Sequence, residues 1–127
     1  GGAKLRDAEI VVAGGYGCRD REGFALVEQL AGVLGGAVGA SRAAIDAGWA
    51  SAECQIGQSG VTVKPKLYIA CGISGAIQHT AGMDKSGTII AINPDPEAPI
   101  FSIADIGIKE ELQDFIPCLL RALSQEK

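Results

Sequence analysis

One histidine, one methionine, one tryptophan and an aromatic content of 5% leave this 127-residue chain with little of the usual machinery of active sites. With His79 alone to serve every proton-transfer role, no Ser-His-Asp arrangement assembles. The phosphate loop G-x-x-x-x-G-K-[ST] is missing, and Gly15-Tyr16-Gly17 lacks the third glycine of the dinucleotide fingerprint. A hydrolase or kinase is therefore disfavoured. Cys18, Cys54, Cys71 and Cys118 form no C-x-x-C pair and have no histidine at metal spacing, so four free thiols in a reducing compartment are expected. Cys71, inside an apolar run, reads as a small core residue. A formal net charge of −4 with scattered lysines and arginines speaks against nucleic acid as a partner, whose footprint is a basic patch. No apolar run approaches the ~20 residues that span a bilayer, and no stretch reads as a signal peptide. Gly1 and Gly2 open the chain and its only methionine is Met83, so an excised or processed piece of something longer is expected.

What is present fits one globular domain: hydrophobic residues at 47%, charge at 20%, and eighteen glycines without fibrous period. Ala8–Gly15 predicts a buried parallel strand ending in a glycine turn. Phe24, Val27, Leu30, Ala31 and Leu34 fall at helical spacing, and Gly35-Gly36 stops that helix. Ala37–Ala40 is short and apolar, and Ser41 can cap a helix through Arg42 to Ala47. Residues 48–60 lose periodicity and read as a loop. Val61–Val63 suggests a short strand, Leu67–Cys71 a buried one, and 74–82 a helix. Thr88–Ile92 and Ile100–Ala104 read as further strands. An apolar stripe at Leu112, Phe115, Ile116, Leu119, Leu120 and Leu123 predicts a terminal helix, with Pro117 imposing a kink or starting a second helix. Strands alternating with helices predict an α/β sandwich with a mostly parallel sheet and ligands at the carboxyl ends of its strands.

The segment Leu67–His79 carries the most information. A charge-free strand runs into Gly72-Ile73-Ser74-Gly75, and a helix is expected to follow with its first amides unpaired, a setting that suits phosphate or pyrophosphate. Gly15-Tyr16-Gly17 reads as a ligand contact or a plain turn. Gly57-Gln58-Ser59-Gly60 can wrap a ligand edge or be only a loop. Ser41-Arg42 can hold an anion, or cap a helix and face solvent. A lone histidine such as His79 is more often structural than functional. Composition and spacing end at an acidic α/β domain that binds a phosphate-bearing cofactor.

At these residues the chain resembles the electron transfer flavoprotein alpha subunits. The stretch LYIACGISGAIQHTAGMDKSGTIIAIN (Leu67–Asn93) looks like the family signature. VGASRAAIDAGW (Val38–Trp49), QIGQSG (Gln55–Gly60) and NPDPEAPIFSIAD (Asn93–Asp105) agree in order. The resemblance implies a three-layer α/β sandwich with a mostly parallel Rossmann-like sheet, of the DHS-like NAD/FAD-binding kind. It further implies that residues 1–127 form the FAD-binding domain, the C-terminal half of a longer subunit whose N-terminal domain is absent. Such subunits pair with a beta subunit, accept electrons from acyl-CoA or related dehydrogenases, and pass them to a membrane quinone oxidoreductase or another acceptor. They are carriers rather than enzymes, without metal and without membrane insertion, and work in the bacterial or archaeal cytoplasm or the mitochondrial matrix.

Carried over residue by residue, Ser74, Gly75, Ala76, Ile77, Gln78 and His79 would bring helix amides and a hydroxyl to the FAD pyrophosphate, with His79 donating near the flavin C2 carbonyl. Arg42 would lie against the isoalloxazine ring, with Ser41 on the phosphate side. Gln55, Ile56, Gly57, Gln58 and Ser59 would form the loop under the flavin, the Ser59 hydroxyl near N5, and Asn93 would meet the adenosine part. A guanidinium and an imidazole at the ring would favour its negatively charged reduced forms. Four departures stand out, one being Ile106 where a tyrosine usually follows Ala-Asp. Ser59 replaces a frequent threonine, and Tyr16 replaces the arginine of a usual GGRG, removing a charge and bidentate donors that tyrosine lacks. Glu111 stands where an aspartate is common. Tyr16 motivates a second reading, a nucleotide-binding or assembly module that keeps the fold but binds FAD weakly. An NAD-dependent enzyme is a third reading, disfavoured by the incomplete fingerprint.

Overall fold

The computed structural model describes residues 2–125. Near-continuous apolar runs become strands: β1 (Ile10–Gly14), β2 (Ala37–Ala40), β3 (Leu67–Cys71) and β4 (Thr88–Ile92), with a short edge strand β5 (Ile106–Ile108). All four pairings are parallel, in the order β2-β1-β3-β4-β5. Buried on both faces, such strands have no polar alternation, which is why they read as unbroken apolar segments.

Alternate side chains divide the core in two. Val12, Ile69, Cys71 and Ile92 face α1 (Arg21–Leu34) and α4 (Leu112–Ser124), packing with Phe24, Val27, Leu30, Leu112 and Ile116. Val11, Ala13, Tyr68, Ala70 and Ala91 face the other way, toward Leu5, Ile56, Val63, Met83 and Ile100. That second layer is irregular, made of 3-10 turns, loops and the single turn of α3 (Ile77–Thr80). The result is an α/β three-layer sandwich with a fully parallel Rossmann-like sheet. Asp20 caps α1 by accepting from the Gly23 amide at 2.8 Å, and Gly35 ends it with φ 70°.

Several expectations are corrected. Val61–Val63 forms no strand, only an isolated bridge between Ile56 and Val61. Ile100–Ala104 is not a strand: Pro99 starts a 3-10 turn over Pro99–Ser102 that drops Ile100 into the core, and the last strand follows it. Pro117 starts no second helix, because α4 runs through it as one element. The helix expected over 74–82 is α3 alone, since Gly75 at φ 99° is incompatible with a right-handed helix. Among the described residues no helix is long and apolar enough to cross a membrane, and no cluster of side chains could hold a metal ion. All four cysteines are free thiols, Cys18 and Cys71 buried.

Candidate functional site

In a sheet of order 2-1-3-4-5 the chain reverses direction between β1 and β3, and ligands of such folds lie beyond the carboxyl ends of those strands. A cavity of about 630 Å³ occupies that position, inside the ~300–1,000 Å³ usual for cofactor sites. Tyr16 and Gly17 reach it from the turn after β1, and Ser41, Arg42 and Ala43 from the start of α2 (Arg42–Asp46). Gln55, Ile56, Gln58 and Ser59 come from the following loop. Gly72 to Ala76, then Gln78 and His79, line it after β3, and Asn93 after β4.

Two glycine turns meet at its floor. The Gly17 amide donates to the Gly72 carbonyl at 2.9 Å, and a Cβ on Gly17 would stand 2.7 Å from Gly72 Cα. Only glycine on both sides permits that approach. Gly75 serves a second contact: its φ of 99° brings it against the Ile100 backbone, and the Ile100 amide donates to the Ser74 carbonyl at 2.8 Å.

The donors of this wall differ from those expected. A four-residue helix with Ala76 as its uncapped N-cap supplies no appreciable dipole. Instead, among the described residues, the amides of residues 73–78 donate to no backbone or side-chain acceptor. A run of unpaired N–H groups in a glycine-bent loop forms an anion-binding concavity without a long helix. Such a run beside a cavity fits an acidic, oxygen-rich ligand.

Among the described residues, Arg42 is the one charged side chain on the cavity wall. Its Nε lies 3.5 Å from Asp46 Oδ2, one turn along α2, and both side chains are mostly exposed. Ser41 caps that helix, accepting from the Ala44 amide at 3.4 Å, so its hydroxyl proton remains available to a ligand. Gln55 Nε2 donates to Ser59 Oγ at 3.0 Å, which orients the hydroxyl and again leaves its proton free. Asn93 is committed locally: its Nδ2 donates to the Ile73 carbonyl at 3.1 Å, and its Oδ1 accepts from the Asp95 amide at 2.9 Å.

His79 is buried, and its Nε2 lies 2.7 Å from the hydroxyl of fully buried Tyr68. Burial pushes its pKa down to about 4, while the nearby Ile56 backbone favours the charged ring and offsets part of this. The imidazole is therefore neutral at pH 7. Its Nδ1 is buried without a hydrogen-bond partner. A flavin dinucleotide, whose diphosphate suits the free amides and whose ring offers polar atoms to wall residues such as His79, fits this cavity.

Of the residues expected at the site, only Gly57 and Ile77 do not line the cavity. Gly57 works behind it: at φ 138° it presses on the Gln78 carbonyl, which accepts from the Gln58 amide at 2.8 Å. Ile77 faces solvent. The cavity also uses Gly17 and Ile73, from the two turns read as possible ligand contacts, and Ala43, which sequence reasoning did not single out; its place next to Arg42 was the available signal. Tyr16 stands on the wall and stacks on Trp49, with ring centroids 5.8 Å apart and planes 21° off parallel. Glu111 pairs with Arg19, and Gln113 of α4 donates to the Gly17 and Cys18 carbonyls, so both help fix the turn that carries Tyr16.

A family model described as the electron transfer flavoprotein FAD-binding domain matches residues 4–84. The electron transfer flavoprotein subunit alpha of Thermoanaerobacterium thermosaccharolyticum is 57% identical over 123 residues, covering 97% of this chain and 37% of that protein. The Bacillus subtilis subunit is 56% identical over 124 residues, 98% of this chain and 38% of its own length. The mitochondrial subunit of Dictyostelium discoideum is 53% identical over 124 residues, 98% and 35% respectively. The chain thus spans a little over a third of the length of these relatives.

Proposed function

The chain belongs to the electron transfer flavoprotein alpha-subunit family, and from that premise we propose that residues 1–127 are the FAD-binding domain of a longer alpha subunit and carry electrons through a flavin held in the cavity at the β1/β3 switch point. The observation that carries this reading is that residues 73–76 and 78, whose loop amides have no partner, line one cavity together with His79, whose Nδ1 has none either.

When bound, FAD supplies the ring that takes up and releases electrons; the protein binds, orients and tunes it. The free amides around Ser74, Gly75 and Ala76 would receive the diphosphate, with Ser41 on the same side. Arg42 would release Asp46 and turn to the ring, a small cost because exposed ion pairs contribute little. His79 would donate from Nδ1 to a ring carbonyl, and Ser59, oriented by Gln55, would offer its hydroxyl proton to a ring nitrogen. Gln58 and Ile56 would complete the bed beneath the ring, and Asn93 would shape the adenosine end by holding Ile73. The naming of the relatives as electron transfer flavoproteins supports a carrier rather than an enzyme. The whole subunit would pair with a beta subunit, take electrons from acyl-CoA or related dehydrogenases, and deliver them to a quinone oxidoreductase or another acceptor, in the cytoplasm or the mitochondrial matrix.

One observation favours a second reading, a nucleotide-binding module that holds the ring weakly. Tyr16 occupies the cavity wall where the family commonly has arginine, leaving Arg42, itself paired with Asp46, as the only cation there. Calorimetric titration separates the two. Binding of FAD at least tenfold tighter than ADP supports flavin carriage; equal affinities mean that the ring end contributes nothing and favour the module.

A further inference from the structure

His79 lies at the seam between cavity and core, and its second nitrogen is spoken for from below. Tyr68 belongs to β3, its ring fully buried in the core layer that contains Ile56 and Met83. Its hydroxyl and His79 Nε2 are 2.7 Å apart, with ring centroids at 6.2 Å and planes 60° apart. A phenol has one proton to donate. Among the described residues, the Tyr68 hydroxyl has no other hydrogen-bond partner.

Two arrangements of the pair are possible. If Nε2 carried the ring proton and donated to the phenolic oxygen, the Tyr68 proton would be left in the core with no acceptor, which costs the desolvation of that group. If the phenol donates to Nε2, the phenol is satisfied and a neutral imidazole must carry its proton on Nδ1. That one N–H alone is left to pair, where the first arrangement leaves both the phenol proton and the Nδ1 lone pair without partners. We propose that Tyr68 is a positioning residue: its hydroxyl fixes His79 as the Nδ1-protonated tautomer, so that the ring presents an N–H donor to a carbonyl oxygen bound in the cavity.

The surroundings agree. Burial holds the ring neutral and keeps the Tyr68 phenol protonated by pushing its pKa well up. The backbone of Ile56 beside the ring favours a ring proton. Nδ1, the nitrogen left to carry it, has no hydrogen-bond partner. The identity of the acceptor as a flavin carbonyl rests on the function proposed above; the tautomer does not.

Because His79 is the only histidine of the chain, its ring nitrogens can be read without assignment. The test is ¹⁵N NMR of histidine-labelled protein at pH 7 without flavin. Protonated Nδ1 and bare Nε2 are expected in the native chain, and Tyr68→Phe should shift the population toward the Nε2-protonated form. On addition of FAD, Tyr68→Phe should bind about tenfold more weakly, the scale of one buried hydrogen bond. A native Nε2-protonated ring, or an unchanged tautomer in a folded Tyr68→Phe, overturns the inference. If Tyr68→Phe does not fold, the native tautomer alone decides. Failure of FAD to bind a chain with the expected tautomer would count against the flavin reading and leave this inference standing.

Discussion

Gly57 and Gly82 meet backbone to backbone: a Cβ on Gly82 would stand 2.5 Å from the Gly57 nitrogen, and one on Gly57 would stand 2.3 Å from the Gln78 carbonyl oxygen. This contact seats the Gln55–Gly60 loop on the segment that carries His79, so two walls of the cavity depend on two missing side chains. Gly57→Ala adds backbone strain at φ 138° to the clash. It should lower unfolding free energy by ~2 kcal/mol or more in denaturant titration and weaken FAD binding as well. Gly32→Ala is the counterpart: Gly32 lies exposed within α1 with nothing near its missing Cβ, and the substitution should stabilise by ~0.5–1 kcal/mol without touching FAD affinity.

The neutral imidazole of His79 has a consequence for acid stability. Its folded pKa of about 4 lies below the ordinary imidazole value of 6.5, so between these values the unfolded chain binds the proton and the folded chain does not. Stability should therefore be complete above pH 6.5, fall as pH drops toward 4, and lose on the order of 3 kcal/mol from this group. Urea titrations across that window in the native chain and in His79→Gln check it. The His79 contribution is measured by the slope that disappears in the variant.

Thiol chemistry should follow burial. Cys18 and Cys71 are buried, with burial raising the Cys18 thiol to about 12 and the Cys71 thiol further. Cys118 is exposed and Cys54 partly so. A native alkylation time course read by mass spectrometry should label Cys118 first, Cys54 more slowly, and Cys18 and Cys71 only on unfolding. Early labelling of Cys71 would mean that β3 is less well covered than its packing indicates.

The Arg42–Asp46 pair makes a separable prediction. Asp46→Asn should leave stability nearly unchanged, since both side chains are mostly exposed. In FAD-loaded protein, Arg42→Ala should lower the flavin potential, while Asp46→Asn should leave it level or raise it by freeing the guanidinium. Potentiometric titration of the three proteins reads this directly. No change in Arg42→Ala would remove Arg42 from the ring's surroundings.

Much of this was legible in the chain because parallel strands buried on both faces carry unbroken apolar runs. β1 to β4 and the Ser41 cap stand close to where those runs and that residue predict them. Ile100–Ala104 is equally apolar yet folds as a turn, because Pro99 starts it and Ile100 is its one fully buried side chain, with Phe101, Ile103 and Ala104 half-buried against the core. Periodicity cannot distinguish one inserted side chain from a strand. The helix after Ser74 was overextended for a related reason: the φ of Gly75 is set by its contact with Ile100, a residue 25 positions away. The same contact turns expected helix-end donors into loop donors. The Tyr68–His79 bond, which joins a strand to a turn across the core, has no local signature at all.

The account as a whole stands on the cavity accepting a flavin ring as well as its nucleotide tail. Titrating FAD into the chain while recording visible absorption tests this most directly. One FAD per chain should saturate the site with flavin bands shifted from those of the free cofactor, and excess ADP should displace it poorly. A spectrum that stays that of free FAD, or ready displacement by ADP, would contradict the account.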